Sequence, residues 1–124
     1  MFHTTDDRVL INELAMRPHN SGHVTMEGSI TGQFEQHLRA VANLPLGATD
    51  SRDEWAVMIN VLGGMDVTKY EHTHRHPSVK LHNYGKEPRA GRKVGHVTGT
   101  GSDLSAVLAE TRAVAQIFGE ADIT

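Results

Sequence analysis

Apolar positions along the chain repeat with two different periods, and the change of period divides it into strands and helices. "RVLINEL", residues 8–14, follows an Asp6-Asp7 turn signal with branched apolar residues and predicts a strand. "TGQFEQHLRAVA", 31–42, places Phe34, Leu38 and Val41 on one helical face, with Thr31 as the expected N-cap and Glu35 near the positive end. "NLPLGATDSRDE" is a connector with Pro, Gly and Asp. "WAVMINVLG", 55–63, predicts a strongly apolar strand closed by Gly63-Gly64. "SVKLHNY", 78–84, alternates Val79, Leu81 and Asn83 against Lys80, His82 and Tyr84, and 93–101 has the same strand character. A last helix is expected over 102–118. Ser102 or Asp103 would cap it, Leu104, Val107, Leu108, Val114, Ile117 and Phe118 would form its stripe, and Gly119 would end it. The order of elements predicts an α+β fold, with neither an internal repeat nor a low-complexity segment.

Composition narrows the chemistry. The 124 residues suit one domain or part of a larger protein. With 38% hydrophobic and 22% charged residues, the chain reads as globular rather than disordered. A net charge of −3 offers no footprint for nucleic acid or an anionic membrane. No cysteine is present, so thiolate metal sites, disulfides and a cysteine nucleophile are excluded. No apolar run approaches the ~20 residues of a membrane helix, and "MFHTTDDRV" lacks a signal-peptide pattern. A cytoplasmic protein is expected.

Two stretches carry more polar chemistry than solubility requires. "NELAMRPHNSGH", 12–23, crowds Asn12, Glu13, Arg17, His19, Asn20, Ser21 and His23 behind the apolar run. Glu13 beside Asn12 suits a hard cation such as Mg²⁺, which takes oxygen ligands from one or two carboxylates and from phosphates. Arg17 offers a planar fork for a carboxylate or phosphate, and His19, Asn20 and Ser21 add donors. The plainer alternative is a surface turn in which Glu13 pairs with Arg17. In "YGKEPRAGRKVGH", 84–96, Lys86, Arg89, Arg92 and Lys93 surround Gly85, Pro88 and Gly91. Four cations on one tight hairpin repel unless an anion joins them, so a phosphate clamp competes with a solvated tip. Nine histidines are spread along the chain, and only His72, His74 and His76 cluster. Their alternate spacing would let one strand face bind a transition metal, although such a run is more often a solvated loop.

At this point the motifs carry a resemblance. "INELAMRPHNSGH", "GQFEQHLRAV", "LPLG", "MINVLG" and "YGKEPRAGRKVGHVT" are similar, in order and spacing over about residues 2–100, to the C-terminal part of the N5-carboxyaminoimidazole ribonucleotide synthetase family. Members are ATP-grasp enzymes of purine biosynthesis. The resemblance implies that ATP and bicarbonate form carboxyphosphate, and that the carboxyl group passes to the amine of 5-aminoimidazole ribonucleotide. It implies ATP and Mg²⁺ as cofactors, with Asn12 and Glu13 at the nucleotide and metal site. It places Arg17, His19, Asn20 and Ser21 on the loop facing bicarbonate and the aminoimidazole, with His19 also eligible as a proton shuttle. Lys86, Arg92 and Lys93 fall on the hairpin that reaches the ribonucleotide phosphate and the carboxyphosphate. Phosphoryl transfer is mostly positioning and charge neutralisation, which is what such groups supply.

The resemblance also implies an organisation: residues 1–45 as the end of an ATP-grasp domain and 50–124 as a small, β-rich C-terminal domain with a terminal helix. No glycine-rich phosphate loop or adenine-side segment is present, and the first of the family's two metal carboxylates would lie just before Met1. The expected partner is therefore the missing N-terminal portion, with homodimers common in the family. The alternative is a non-catalytic anion-binding or oligomerisation module. Met16 replaces the family's usual proline, loosening the turn into Arg17, and Asn83 replaces a common aromatic, which predicts poorer local packing.

Overall fold

The computed structural model describes residues 2–119 and 121–123. Its centre is a four-stranded antiparallel sheet in the order β4-β5-β3-β6, formed by β3 (Trp55–Gly63), β4 (Val79–Asn83), β5 (Arg89–Gly101) and β6 (Ala121–Ile123). Before it come a two-residue pair, β1 (Phe2–His3) with β2 (Val9–Leu10), a one-turn helix α1 (Thr25–Gly28) and α2 (Gln33–Val41). A short helix α3 (Tyr70–Thr73) lies between β3 and β4, and α4 (Leu104–Ile117) follows β5.

Period-2 alternation gives the sheet two unlike faces. Ile59 opposes Val97, and Val97 opposes Leu81. These residues join Val61, Val94 and the Val114, Ala115 and Phe118 side of α4 in one apolar core. The intervening positions turn the other way. Asn60 opposes His96, His96 opposes His82, and Met58 opposes Thr98. Asn60, His96 and Thr98 are buried nonetheless, because α1 and its flanking loops cover this second, polar face. Burying a polar layer is costly unless its groups are partnered.

Several expectations shift. The strand over 8–14 shrinks to Val9–Leu10, which pairs only with Phe2–His3; Val9 and Ile11 are exposed and 11–15 has no regular structure. A strand persists where it has a ladder partner, and none is present for the rest of this segment among the described residues. The helix over 31–42 begins two residues later, and Gly32 rather than Thr31 stands at its N-cap. Thr31 is buried and donates its N–H to the Ala48 carbonyl, so its backbone belongs to the connector pairing. The first-turn N–H of Gln33 is instead satisfied by Thr25 Oγ1 at 2.9 Å. Asp103 caps α4, accepting from the N–H groups of Ser105 (2.8 Å) and Ala106 (3.1 Å), and Gly119 at φ 107° ends it. Leu104 is exposed, while Thr111 and Ala115 fill the stripe. The strand expected from 93 starts at Arg89, with register shifts opposite Leu62. β6 had no sequence signal long enough to read.

The apolar face of α2 is open: Phe34, Leu38 and Val41 are 44%, 67% and 73% exposed. With Leu44 and Leu46 also exposed beside it, this face favours association. The purified chain is expected to self-associate, measured by light scattering; a monomer at high concentration would contradict this. No helix among the described residues is long and apolar enough to cross a membrane.

Candidate functional site

The opening loop is built around His19. The ring accepts at Nδ1 from the Ser21 N–H (3.3 Å) and lies 2.9 Å from Ser21 Oγ, so its other nitrogen is free to donate. That nitrogen, Nε2, meets Glu13 Oε1 at 2.9 Å. Asn12, Glu13, Ala15, His19 and Ser21 together line a hollow of about 310 Å³. Glu13 is thus paired with His19 and not with Arg17, whose Nη1 donates to the Pro18 carbonyl at 3.0 Å. Asn20 starts a 3₁₀ turn and accepts the His23 N–H through its carbonyl.

The basic hairpin is held from within. Gly85 and Gly91 take φ of 64° and 69°, the left-handed region that suits glycine. Lys86 Nζ donates to the Lys93 carbonyl (3.2 Å) and sits 5.1 Å from the Tyr84 ring centroid, while Arg92 Nη1 donates to the Glu87 carbonyl (3.1 Å). Asn83 does more than leave a gap: its Oδ1 accepts from the Gly85 N–H and its Nδ2 donates to the Tyr70 hydroxyl.

Loop and hairpin meet through residues to which the sequence assigns no role, His23 of the polar stretch among them. His23 stacks on Phe34 (centroids 5.4 Å apart) and on His96 (5.2 Å), and His96 stacks on His82 (4.5 Å). Tyr84 places its edge against His23 and its hydroxyl 2.7 Å from His96 Nδ1. Through Tyr84 the chain of contact runs from Lys86 to His23, and through Gln33 from His23 to His19. His82 Nε2 meets Glu27 Oε1 at 2.8 Å. Burial drives the Tyr84 hydroxyl up to about 12 and, with the neighbouring His82 and His23, drives His96 down to about 3. His23 is also lowered, by burial first and then by His82, His19 and Arg17. The central rings of the column are therefore neutral near pH 7.

Glu27, His82 and His96 offer ligand atoms within 4.8 Å of one another. The two rings are only 15° from parallel, so their lone pairs run side by side and do not converge. An ion could be shared only if one ring left the stack, and the trio is better explained as a stacked histidine pair with Glu27 hydrogen-bonded to His82. His72, His74 and His76 form no such group among the described residues. Residues 70–73 are helical, so there is no strand face for alternate histidines to share. The column could have been suspected from His82 and Tyr84 on the polar side of one strand and His96 in the next. Their pairing depends on a register that no local pattern reveals.

Comparison with known proteins defines the class first. The ATP-grasp domain model matches residues 1–34, and the phosphoribosylaminoimidazole carboxylase C-terminal domain model matches 56–110. The chain is 51% identical over 112 residues to the N5-carboxyaminoimidazole ribonucleotide synthase of Mycobacterium tuberculosis, covering 85% of this chain and 26% of that protein. It is 50% identical over 99 residues to the Bacillus subtilis enzyme of the same name, covering 79% and 26%. The solved phosphoribosylaminoimidazole carboxylase ATPase subunit of Aquifex aeolicus superposes with a TM-score of 0.81 at 39% identity, over 94% of this chain and 36% of that one. The Aspergillus clavatus synthase, solved with ADP and 5-aminoimidazole ribonucleotide, also gives 0.81, at 31% identity over 97% and 34%. The chain belongs to the N5-carboxyaminoimidazole ribonucleotide synthase family and matches its C-terminal portion, spanning about a quarter to a third of the relatives' length. It shares the mixed helix-and-sheet fold of those structures.

Proposed function

We infer that the chain supplies one side of an active site in which ATP and bicarbonate form carboxyphosphate, and 5-aminoimidazole ribonucleotide then takes the carboxyl group. Residues 1–45 close an ATP-grasp domain, residues 50–124 form a small C-terminal domain, and an N-terminal portion like that of the longer relatives supplies the rest. The observation that supports this best is the junction at His23 and Tyr84. It joins the Glu13–His19 loop to the Lys86 hairpin across more than sixty residues of sequence. Two groups of donors on one surface suit one phosphorylated ligand, since like charges gather where an anion compensates them.

Each residue then has a task in a reaction that is mainly positioning and charge neutralisation. Arg17, Asn20 and Ser21 bind bicarbonate and the aminoimidazole, and Lys86, Arg92 and Lys93 bind the phosphates. His19 orients Glu13, and its ring can pass a proton on. Asn12 and Glu13 are hard oxygen donors around one hollow and fit Mg²⁺, although one carboxylate is a sparse set for an ion that dehydrates reluctantly. When bound, Mg²⁺ would neutralise charge on the nucleotide phosphates.

The chain alone is expected to show no turnover of ATP or 5-aminoimidazole ribonucleotide. Activity should appear when the N-terminal portion is added and fall at least ~10²-fold with Glu13→Ala, in line with loss of one electrostatic group. Turnover by the chain alone, or reconstituted activity indifferent to Glu13→Ala, would overturn the assignment. No activity from the reunited portions would favour a non-catalytic binding or oligomerisation module.

A further inference from the structure

The side-chain amide of Gln33, at the first turn of α2, makes three hydrogen bonds, and together they leave one arrangement of protons. Its Oε1 accepts from the His19 N–H at 2.9 Å, and its Nε2 donates to the His19 carbonyl at 2.8 Å. Turning the amide over would set donor against donor and acceptor against acceptor on the same residue, so the orientation follows from the backbone alone. The second hydrogen of Nε2 then points at His23 Nδ1, 2.6 Å away. Nδ1 must accept, and in the neutral ring the proton resides on Nε2. Nε2 makes no hydrogen bond among the described residues, so it is the ring's one uncommitted polar atom. Gly22 leaves room for this clip, since a Cβ there would lie 2.3 Å from Gln33 Oε1.

We propose that Gln33 is a positioning residue that clips the 19–23 loop to α2 and fixes His23 as the Nε2–H tautomer, making His23 a neutral hydrogen-bond donor to a substrate oxygen rather than a general base. The donor role rests on the anion-binding reading given above; the clip and the tautomer do not. Phe34 and His96 hold the ring from both faces, and Tyr84 meets it at the edge, so the N–H keeps a fixed direction. The lowered basicity of His23 acts in the same sense, keeping Nδ1 bare near pH 7.

Nitrogen-15 NMR of the purified chain tests the clip without any substrate. His23 Nδ1 should resonate as a bare nitrogen and Nε2 as a protonated one, with a scalar coupling across the hydrogen bond between Gln33 Nε2 and His23 Nδ1. In Gln33→Glu, the carboxylate can only accept, so His23 should acquire a proton on Nδ1. A wild-type ring protonated on Nδ1, or lacking the coupling, overturns the proposal even if the variant fails to fold. A folded variant with the wild-type pattern overturns it too. Inorganic phosphate or bicarbonate, added to the chain reunited with its N-terminal portion, should shift the His23 Nε2–H resonance. If the tautomer is as stated and neither anion moves that resonance, the donor role and the anion site fail while the clip stands.

Discussion

Lowering the pH from 7 to 4.5 is expected to destabilise the chain by roughly 2–3 kcal/mol through a single buried histidine. The cause is His96. Folded, it is buried on the polar face of the sheet between His82 and His23, under Tyr84, and it stays uncharged above about pH 3. Unfolded, it titrates near 6.5. Between these values the unfolded chain binds one proton more than the folded one, so stability falls as the pH falls, by about 1.4 kcal/mol per pH unit. Above 6.5 the term is constant, and below about 3 both states are protonated and it stops growing. His23, also lowered, pulls in the same direction. Asp103 adds a later loss, since the Ser105 hydroxyl and the Ala106 and Ser105 N–H groups hold its carboxyl below the usual range. Urea unfolding followed by circular dichroism at several pH values measures the slope. In His96→Gln the slope between pH 6.5 and 4.5 should be much shallower, whatever that variant's overall stability. An equal slope in both proteins would rule out His96 as the source.

Gly95→Ala is expected to cost roughly 2–4 kcal/mol, the range of an overpacked core site. A methyl group there would lie 2.3 Å from the His82 carbonyl oxygen and 2.6 Å from Met65 Cε. The methionine can move, but the carbonyl belongs to the neighbouring strand, where His82 opposes His96 and Asn83 opposes Gly95. Relief therefore requires β4 and β5 to separate at the point where their histidines stack. The substitution should lower the melting temperature and also disturb the His82–Glu27 hydrogen bond, visible in the His82 ring resonances. Gly64→Ala makes a suitable control, because its nearest neighbour would be Pro88 Cβ at an ordinary 3.4 Å. Equal melting temperatures for the two variants would refute the steric argument.

The elements with dense local signals were legible. Trp55–Gly63 is an apolar run interrupted by Asn60 and ended by glycines, and α4 has a capping aspartate, a 3.6-residue stripe and a terminal glycine. The strand expected at 8–14 misled, because branched apolar residues show only that a strand would be stable if a partner existed. Thr31 misled because its N–H is used by Ala48, far along the chain. Of the candidate site, the motifs singled out Glu13, Arg17, His19 and the basic hairpin, each within a short window of sequence. The His19 partner of Glu13 was overlooked in favour of Arg17, since the 3₁₀ turn that swings the ring back is set by Ser21 and Gln33.

The sequence by itself determined the family, the strand and helix types with strong periodicity, and the chemical character of the two polar stretches. These depend on residue identity and local spacing, which survive in any conformation. Only the tertiary structure decided that Phe34, His23, His96 and His82 form one column, that Tyr84 joins the hairpin to the loop, and that Gln33 selects a tautomer of His23. Each of those facts depends on strand register and on which face a helix turn covers. A shift of one residue would invert every side chain involved, and that choice is made by burial of the whole sheet rather than by any neighbouring residue.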